Sequence, residues 1–266
     1  MRMTLHNLRR IAGERKLATL TCYDATFAAL LDEEGIDLLL IGDSLGMVVQ
    51  GHDSTIPVTV ADIAYHVRAV ARGSARCWIV ADMPFGSYQQ GPAQALGNAV
   101  EFLQAGAQMV KLEGGEEMAP TIEFLVARGI PVCGHVGLTP QHVNAFGGYR
   151  IQGRGAAAAK VRRDALAVAA AGAAMIVIEG VPEPLARAIA AESPAITIGI
   201  GASVACHGQI LVLHDLLGAS RGRRPRFVRD FLGTSGSIAH AVREYARQVR
   251  AGEFPGPENV YPEDRA

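Results

Sequence analysis

Short runs of consecutive apolar residues, each of strand length, recur along the chain at 16–22, 37–41, 77–81, 108–112, 131–133, 174–178, 195–200 and 209–213. Most are unbroken rather than alternating. That is the pattern of parallel strands covered on both faces, whereas a strand with one wet face alternates apolar and polar residues. Between most of these runs the period lengthens to that of a helix. Residues 61–72 follow Thr59, a side chain suited to capping, and carry apolar positions at helical spacing. Helices are also predicted over 92–105, 120–128 and 156–171, stopped by Gly106, Gly129 and Gly172, each of which leads directly toward the next strand. The Ala-rich stretch 156–173 keeps a polar face in Lys160, Arg162, Arg163 and Asp164, as a helix lying on a sheet should.

This strand–helix–strand rhythm predicts an α/β fold, and eight candidate strands suit a closed (β/α)8 TIM barrel. The barrel is expected to occupy residues 1–266 as one domain, with an N-terminal helical segment and a C-terminal tail. The tail after Gly252 holds Pro255, Pro257 and Pro262 and is expected to be extended and free to wrap a neighbour. A doubly wound open sheet is the competing architecture, but it usually carries a Gly-rich phosphate loop after its first strand. Here that strand ends in Thr21-Cys22-Tyr23-Asp24.

Composition narrows the class. Of the 266 residues 49% are hydrophobic and the formal net charge is −1, which excludes a disordered chain and gives no footprint for nucleic acid. The basic cluster Arg221, Arg223, Arg224 and Arg226 has no interleaved aromatics and is expected to be a solvated loop. Cys22, Cys77, Cys133 and Cys206 form no C-x-x-C pair and are expected to be small buried hydrophobes in a reduced compartment. No run approaches the ~18 apolar residues of a membrane span, and no signal peptide is visible. A soluble cytoplasmic protein without nucleic-acid or membrane partners is expected.

In a parallel barrel the C-terminal strand ends converge on one mouth. The second candidate strand ends in Gly42-Asp43-Ser44 and the third at Asp82. The fourth carries Lys111 and Glu113, which are two apart and share one face. The fifth is followed by His135, and the sixth ends in Glu179-Gly180. Helix caps or ion pairs account for any one of these; the succession on consecutive strands points to a site. Carboxylates crowded around one mouth repel each other unless protonated or metal-bound. Oxygen ligands favour Mg²⁺ or another hard cation, with Asp43, Asp82 and Glu113 as its ligands, directly or through water. Lys111 suits a substrate carboxylate or offsets the acidic charge. Glu179 closes a strongly apolar run and suits a general base. His135 is placed to hydrogen-bond a substrate or orient a ligand. His52, His66, His142 and His214 are taken as structural or surface, and Trp78 as core.

Gly42-Asp43-Ser44-Leu45-Gly46, Gly51-His52-Asp53-Ser54-Thr55 and Asp82-Met83-Pro84-Phe85-Gly86-Ser87-Tyr88 resemble the ketopantoate hydroxymethyltransferase family. So do Val110-Lys111-Leu112-Glu113-Gly114-Gly115, Gly134-His135-Val136-Gly137-Leu138-Thr139-Pro140-Gln141 and Ile178-Glu179-Gly180-Val181-Pro182. The resemblance begins at Thr21-Cys22-Tyr23-Asp24 and runs to Phe254-Pro255. It implies a barrel that assembles as a homodecamer. It implies transfer of a one-carbon unit from 5,10-methylenetetrahydrofolate to the small 2-oxo acid 3-methyl-2-oxobutanoate through a metal-stabilised enolate, giving 2-dehydropantoate for pantothenate synthesis. On the matching positions it implies Mg²⁺ among Asp43, Asp82 and Glu113, the oxo acid on Asp43, Ser44, Asp82 and Lys111, and Glu179 as proton acceptor. One stretch departs. The family usually has Gly-Ala-Gly followed by Cys-Asp-Gly-Gln near the last strand, and here Ser203 and His207 replace a Gly and the Asp. If that loop borders the mouth, donor affinity should differ. Two other readings are a related Mg-dependent 2-oxo acid lyase or mutase, for which no reactive cysteine loop is present, and a catalytically silent barrel that binds a 2-oxo acid.

Overall fold

The computed structural model describes residues 2–221 and 224–263. Strands β1 (Leu17–Thr21), β2 (Leu38–Ile41), β3 (Trp78–Asp82), β4 (Met109–Glu113), β5 (Val132–Gly137), β6 (Met175–Glu179), β7 (Ile196–Ile200) and β8 (Gly208–Leu211) pair in sequence order. Every pairing is parallel, and β8 closes on β1. The α/β barrel predicted from the hydrophobic pattern is the observed fold. One strand is longer than its apolar run: β5 continues to Gly137, so His135 lies within it rather than after it.

Strand alternation decides what reaches the mouth. Trp78 and Val80 of β3, Met109 of β4, Cys133 of β5 and Met175 and Val177 of β6 point into the barrel and form one apolar cluster with Leu38, Ile198 and Ile210. The next residue on the same inward side is Asp82 on β3, Lys111 and then Glu113 on β4, His135 on β5 and Glu179 on β6. The intervening residues Ile79, Ala81, Val110, Leu112, Ile176 and Ile178 face outward and pack beneath the helices. The barrel is filled: a void of only about 10 Å³ remains among Lys111, Val80, Cys133 and their neighbours. Helix Leu5–Glu14 closes the opposite end by setting Leu8 against the inner cluster, with Ile11 beside it.

Helix Val60–Gly73 starts where its sequence says it should. The Thr59 side chain accepts from the Asp62 N–H, and the Asp62 carboxylate accepts from the Thr59 N–H. Helix Pro92–Ala105 ends at Gly106, whose φ of 117° suits glycine. Helices Ala119–Val126 and Ala158–Ala170 are each preceded by a 3-10 turn, which shifts their starts from those predicted.

No helix separates β7 from β8. Residues 201–207 must therefore carry the chain from the top of one parallel strand to the bottom of the next, a descent of about 16 Å that seven residues can span. The condition set on the departing loop, that it border the mouth, is therefore not met at His207. His207 lies at the bottom, where its Nδ1 is 3.1 Å from the Thr197 nitrogen and 2.9 Å from the Thr197 hydroxyl. Ser203 points outward and donates to Glu183 Oε1 at 2.7 Å.

The tail turns back over its own barrel. Phe254 is buried edge-on against Phe231 and Tyr245, and the Tyr261 carbonyl accepts from the Glu183 N–H at 2.8 Å. Residues 264–266 of the tail lie outside the described residues. So does Arg223 of the basic cluster; Arg221, Arg224 and Arg226 are exposed. All four cysteines are buried and free. Among the described residues, no helix is long and apolar enough to cross a membrane.

Candidate active site

The strand register brings the predicted side chains side by side. Asp82 is level with Lys111, Glu113 with His135, and Gly137 with Glu179. Asp43, Asp82, Lys111, Glu113 and His135 are each at most 4% exposed, and Glu179 is 9% exposed. Lys111 Nζ lies 2.7 and 2.8 Å from the two oxygens of Asp82. It is 3.9 Å from Glu113 Oε1. The Asp43 N–H donates to Asp82 Oδ2 at 3.2 Å, which ties the ends of β2 and β3 together. Ser44 sits half-buried at the rim with its hydroxyl 2.9 Å from the Tyr23 hydroxyl.

His135 stands between two acids. Its Nδ1 is 3.4 Å from Glu113 Oε1, and its Nε2 is 3.3 Å from Glu179 Oε2. Neither ring nitrogen is in hydrogen-bonding geometry, so these are charge contacts rather than formed bonds. Burial and Lys111 oppose protonation of the ring, but Glu113 and Glu179 outweigh them and hold its pKa up at about 9.

Burial, followed by the charges of Asp82 and Glu113, raises the Asp43 carboxyl well above the ordinary range. Burial also raises Asp82, against the pull of Lys111. Glu113 moves the other way: burial pushes it up, but His135 and Lys111 prevail and lower it. Lys111 stays charged because the surrounding carboxylates outweigh its burial.

Two residues that the strand-end argument did not single out complete the cluster. The segment Pro140–His142 folds back over the mouth and buries Gln141. The Gln141 Nε2 donates to Asp43 Oδ2 and to the Met83 carbonyl, both at 2.9 Å. Its main-chain N–H donates to Glu113 Oε2 at 3.0 Å. The Tyr88 hydroxyl donates to Gln141 Oε1 at 2.7 Å and accepts from the Glu113 N–H at 3.1 Å. Gly137 makes the fold-back possible. It has φ +91°, and a Cβ there would lie 2.3 Å from the Glu179 carbonyl oxygen. Neither Gln141 nor Tyr88 has a periodicity or spacing that marks it; only their places in the Gly134–Gln141 and Asp82–Tyr88 motifs hint at them.

The chemistry of the cluster fits a divalent cation. Its acids outnumber its bases even with His135 protonated, and Glu113 Oε1 is buried without a hydrogen-bond partner. Among the described residues, no three His, Cys, Asp or Glu side chains converge as a ready metal cage. Direct binding through one or two carboxylates, with water and substrate filling the remaining positions, matches that arrangement and is the usual habit of Mg²⁺. Tyr149 leans over the rim with its hydroxyl 3.6 Å from Met47 Sδ.

Residues set aside from the site on the sequence lie outside the cluster. His66 bonds through Nδ1 to the Tyr23 carbonyl at 2.6 Å, and Trp78 lies inside the barrel. His207 is at the far end, as described above.

A family model described as ketopantoate hydroxymethyltransferase matches residues 2–257. The chain is 55% identical to the 3-methyl-2-oxobutanoate hydroxymethyltransferase of Dechloromonas aromatica, over 98% of this chain and 96% of that protein. It is 53% identical to the enzyme of the same name from Chromobacterium violaceum, over 98% of this chain and 100% of that protein. Among solved structures, phosphonopyruvate hydrolase in complex with oxalate and Mg²⁺ aligns with a TM-score of 0.61 at 18% identity, over 98% of this chain and 92% of that one. At that identity the likeness is one of fold.

Proposed function

The chain belongs to the ketopantoate hydroxymethyltransferase family and is a transferase, and we propose that it moves a one-carbon unit from 5,10-methylenetetrahydrofolate to 3-methyl-2-oxobutanoate, giving 2-dehydropantoate for pantothenate synthesis. The observation that carries the site assignment is the delivery of Asp43, Asp82, Lys111, Glu113, His135 and Glu179 into one mouth by consecutive strand ends.

Asp43, Asp82 and Glu113 are the residues to hold Mg²⁺, directly or through water. When bound, the ion supplies Lewis-acid polarisation of the 2-oxo group. Lys111, Asp43, Asp82 and Ser44 position the oxo acid, with Lys111 offering a cation to its carboxylate. Glu179 takes the proton from C3, and the electron pair of that C–H bond forms the new bond to the donor's methylene carbon. Both methylene–nitrogen bonds of the folate break, one as the new carbon–carbon bond forms and one as water supplies the hydroxyl, and the two folate nitrogens take up the proton from C3 and one from the water. His135 Nε2 lies 3.3 Å from Glu179 Oε2 and so orients that base. We extend the proposal to a homodecameric assembly, which sedimentation of the purified protein tests.

The test of the reaction is incubation of the purified chain with 3-methyl-2-oxobutanoate, Mg²⁺ and 5,10-methylenetetrahydrofolate. Formation of 2-dehydropantoate that stops when a chelator is added supports the proposal. Absence of product with all three present overturns it.

A further inference from the structure

We propose that Gln141, oriented by Tyr88, is a positioning residue that selects which oxygen of Asp43 faces the cation and supports the same choice at Glu113. The inference rests on the reading of these acids as a cation site.

The Gln141 side chain has no unused hydrogen-bonding capacity. Both amide hydrogens are engaged, one by Asp43 Oδ2 and one by the Met83 carbonyl. Its oxygen accepts from the Tyr88 hydroxyl at 2.7 Å and from the Gln89 amide at 3.3 Å. Reversing the amide would set its oxygen against a carboxylate and a carbonyl, two acceptor–acceptor contacts in a buried place. The orientation is therefore fixed by the surroundings.

The consequence falls on two carboxylates from different strands. Gln141 occupies Oδ2 of Asp43, and among the described residues Oδ1 has no hydrogen bond. Its main-chain N–H occupies Oε2 of Glu113, and Oε1 is left without a hydrogen-bond partner. Each acid thus has one oxygen anchored by a hydrogen bond from Gln141 and one that accepts none, Glu113 Oε1 keeping only its charge contacts with His135 and Lys111. A neutral amide suits this task, because a cation would satisfy the acids and compete with the metal, and another acid would add repulsion. Residues that orient metal ligands in this way typically contribute 10–100-fold to metal affinity.

The test measures Mn²⁺ binding to the purified full chain by electron paramagnetic resonance, without substrate, for wild type, Gln141→Met and Tyr88→Phe. Gln141→Met retains the volume and removes the amide, and it is expected to weaken Mn²⁺ binding about 10–100-fold. Tyr88→Phe removes the shorter bond to the amide oxygen and leaves the Gln89 amide and the Met83 carbonyl to hold it, so a smaller loss of severalfold is expected. In turnover, the Mg²⁺ concentration for half-maximal rate should rise for Gln141→Met while the rate at saturating Mg²⁺ largely recovers. A residue that merely supported the fold would not produce that split. Mn²⁺ affinity within twofold of wild type in both variants, with folding intact by circular dichroism, overturns the inference. If Gln141→Met does not fold, unchanged affinity in Tyr88→Phe has the same force. Failure of the wild type itself to bind Mn²⁺ overturns the cation reading instead, so the two failures are distinguishable.

Discussion

Replacing Lys111 by Met removes one charge from the centre of the cluster and leaves its volume nearly unchanged. The Lys111 ammonium is 2.7 Å from Asp82 Oδ1 and 3.9 Å from Glu113 Oε1, and the residue is 3% exposed. Without it, Asp82 retains only the Asp43 N–H at 3.2 Å against the cost of a buried charge. Breaking a buried pair by removing one partner costs about 3–5 kcal/mol, because the stranded charge has neither water nor counter-ion. The loss should depend on pH. Burial already raises Asp82 and Lys111 opposes that rise, so the substitution raises it further. A carboxyl held above its unfolded value of about 3.9 is penalised once the pH passes that value and is spared below it. The difference between variant and wild type should therefore be largest near pH 8 and should shrink toward pH 4. A divalent cation at about 100 times its dissociation constant stabilises a folded site by about 2.7 kcal/mol, and should restore part of the loss if it takes over the neutralising role. Urea unfolding at both pH values, with and without Mg²⁺, measures each term. A loss below about 1 kcal/mol at pH 8, as for an exposed pair, refutes the reasoning.

Other substitutions probe the scaffold and the limits of the site. Asp32 accepts from the N–H groups of Ala75, Arg76 and Cys77 at 2.7, 2.9 and 3.0 Å just before β3, so Asp32→Ala should cost about 2–3 kcal/mol in denaturant unfolding at pH 7. Burial would raise this carboxyl, but its hydrogen bonds prevail and lower it. Its contribution is thus present above about pH 4 and lost as the pH falls through the folded value, so wild type and variant should converge in acid. His207→Ala should leave the Michaelis constants of both the oxo acid and the folate within twofold, because the ring bonds Thr197 at the closed end of the barrel; a larger change for the folate alone contradicts that placement. A Cβ on Gly134 would lie 2.3 Å from Val168 Cγ1, so Gly134→Ala should lower the thermal midpoint by an overpacking cost of about 1–3 kcal/mol; an unchanged midpoint means that helix Ala158–Ala170 can retreat without loss.

The barrel was legible because parallel strands buried on both faces leave unbroken apolar runs, and because glycine marks the helix ends before several of them. The acids were legible for the same reason. In Trp78–Asp82 and Met175–Glu179 the polar residue continues the inward-facing column above two apolar residues, and in Met109–Glu113 Lys111 and Glu113 continue it above one. The length of β5 was not, since Gly134, His135 and Gly137 dilute its apolar run. Gln141 was hidden because its role arises from juxtaposition. It follows a proline in a loop, and its partners come from the ends of three other strands. The path of 201–207 was left open for a related reason. Following a strand end suggests the mouth, but without an intervening helix the loop itself must make the descent, and it carries His207 to the bottom.

The division of labour at the mouth, with Glu179 as base apart from the acids assigned to the cation, is tested most directly by exchange of the C3 hydrogen of 3-methyl-2-oxobutanoate in D₂O, with Mg²⁺ and without folate. Wild type should exchange that hydrogen, and Glu179→Gln should bind the oxo acid with similar affinity but exchange it at least 100-fold more slowly, the scale of general base catalysis being about 10²–10⁴. Exchange by Glu179→Gln as fast as wild type would contradict the assignment.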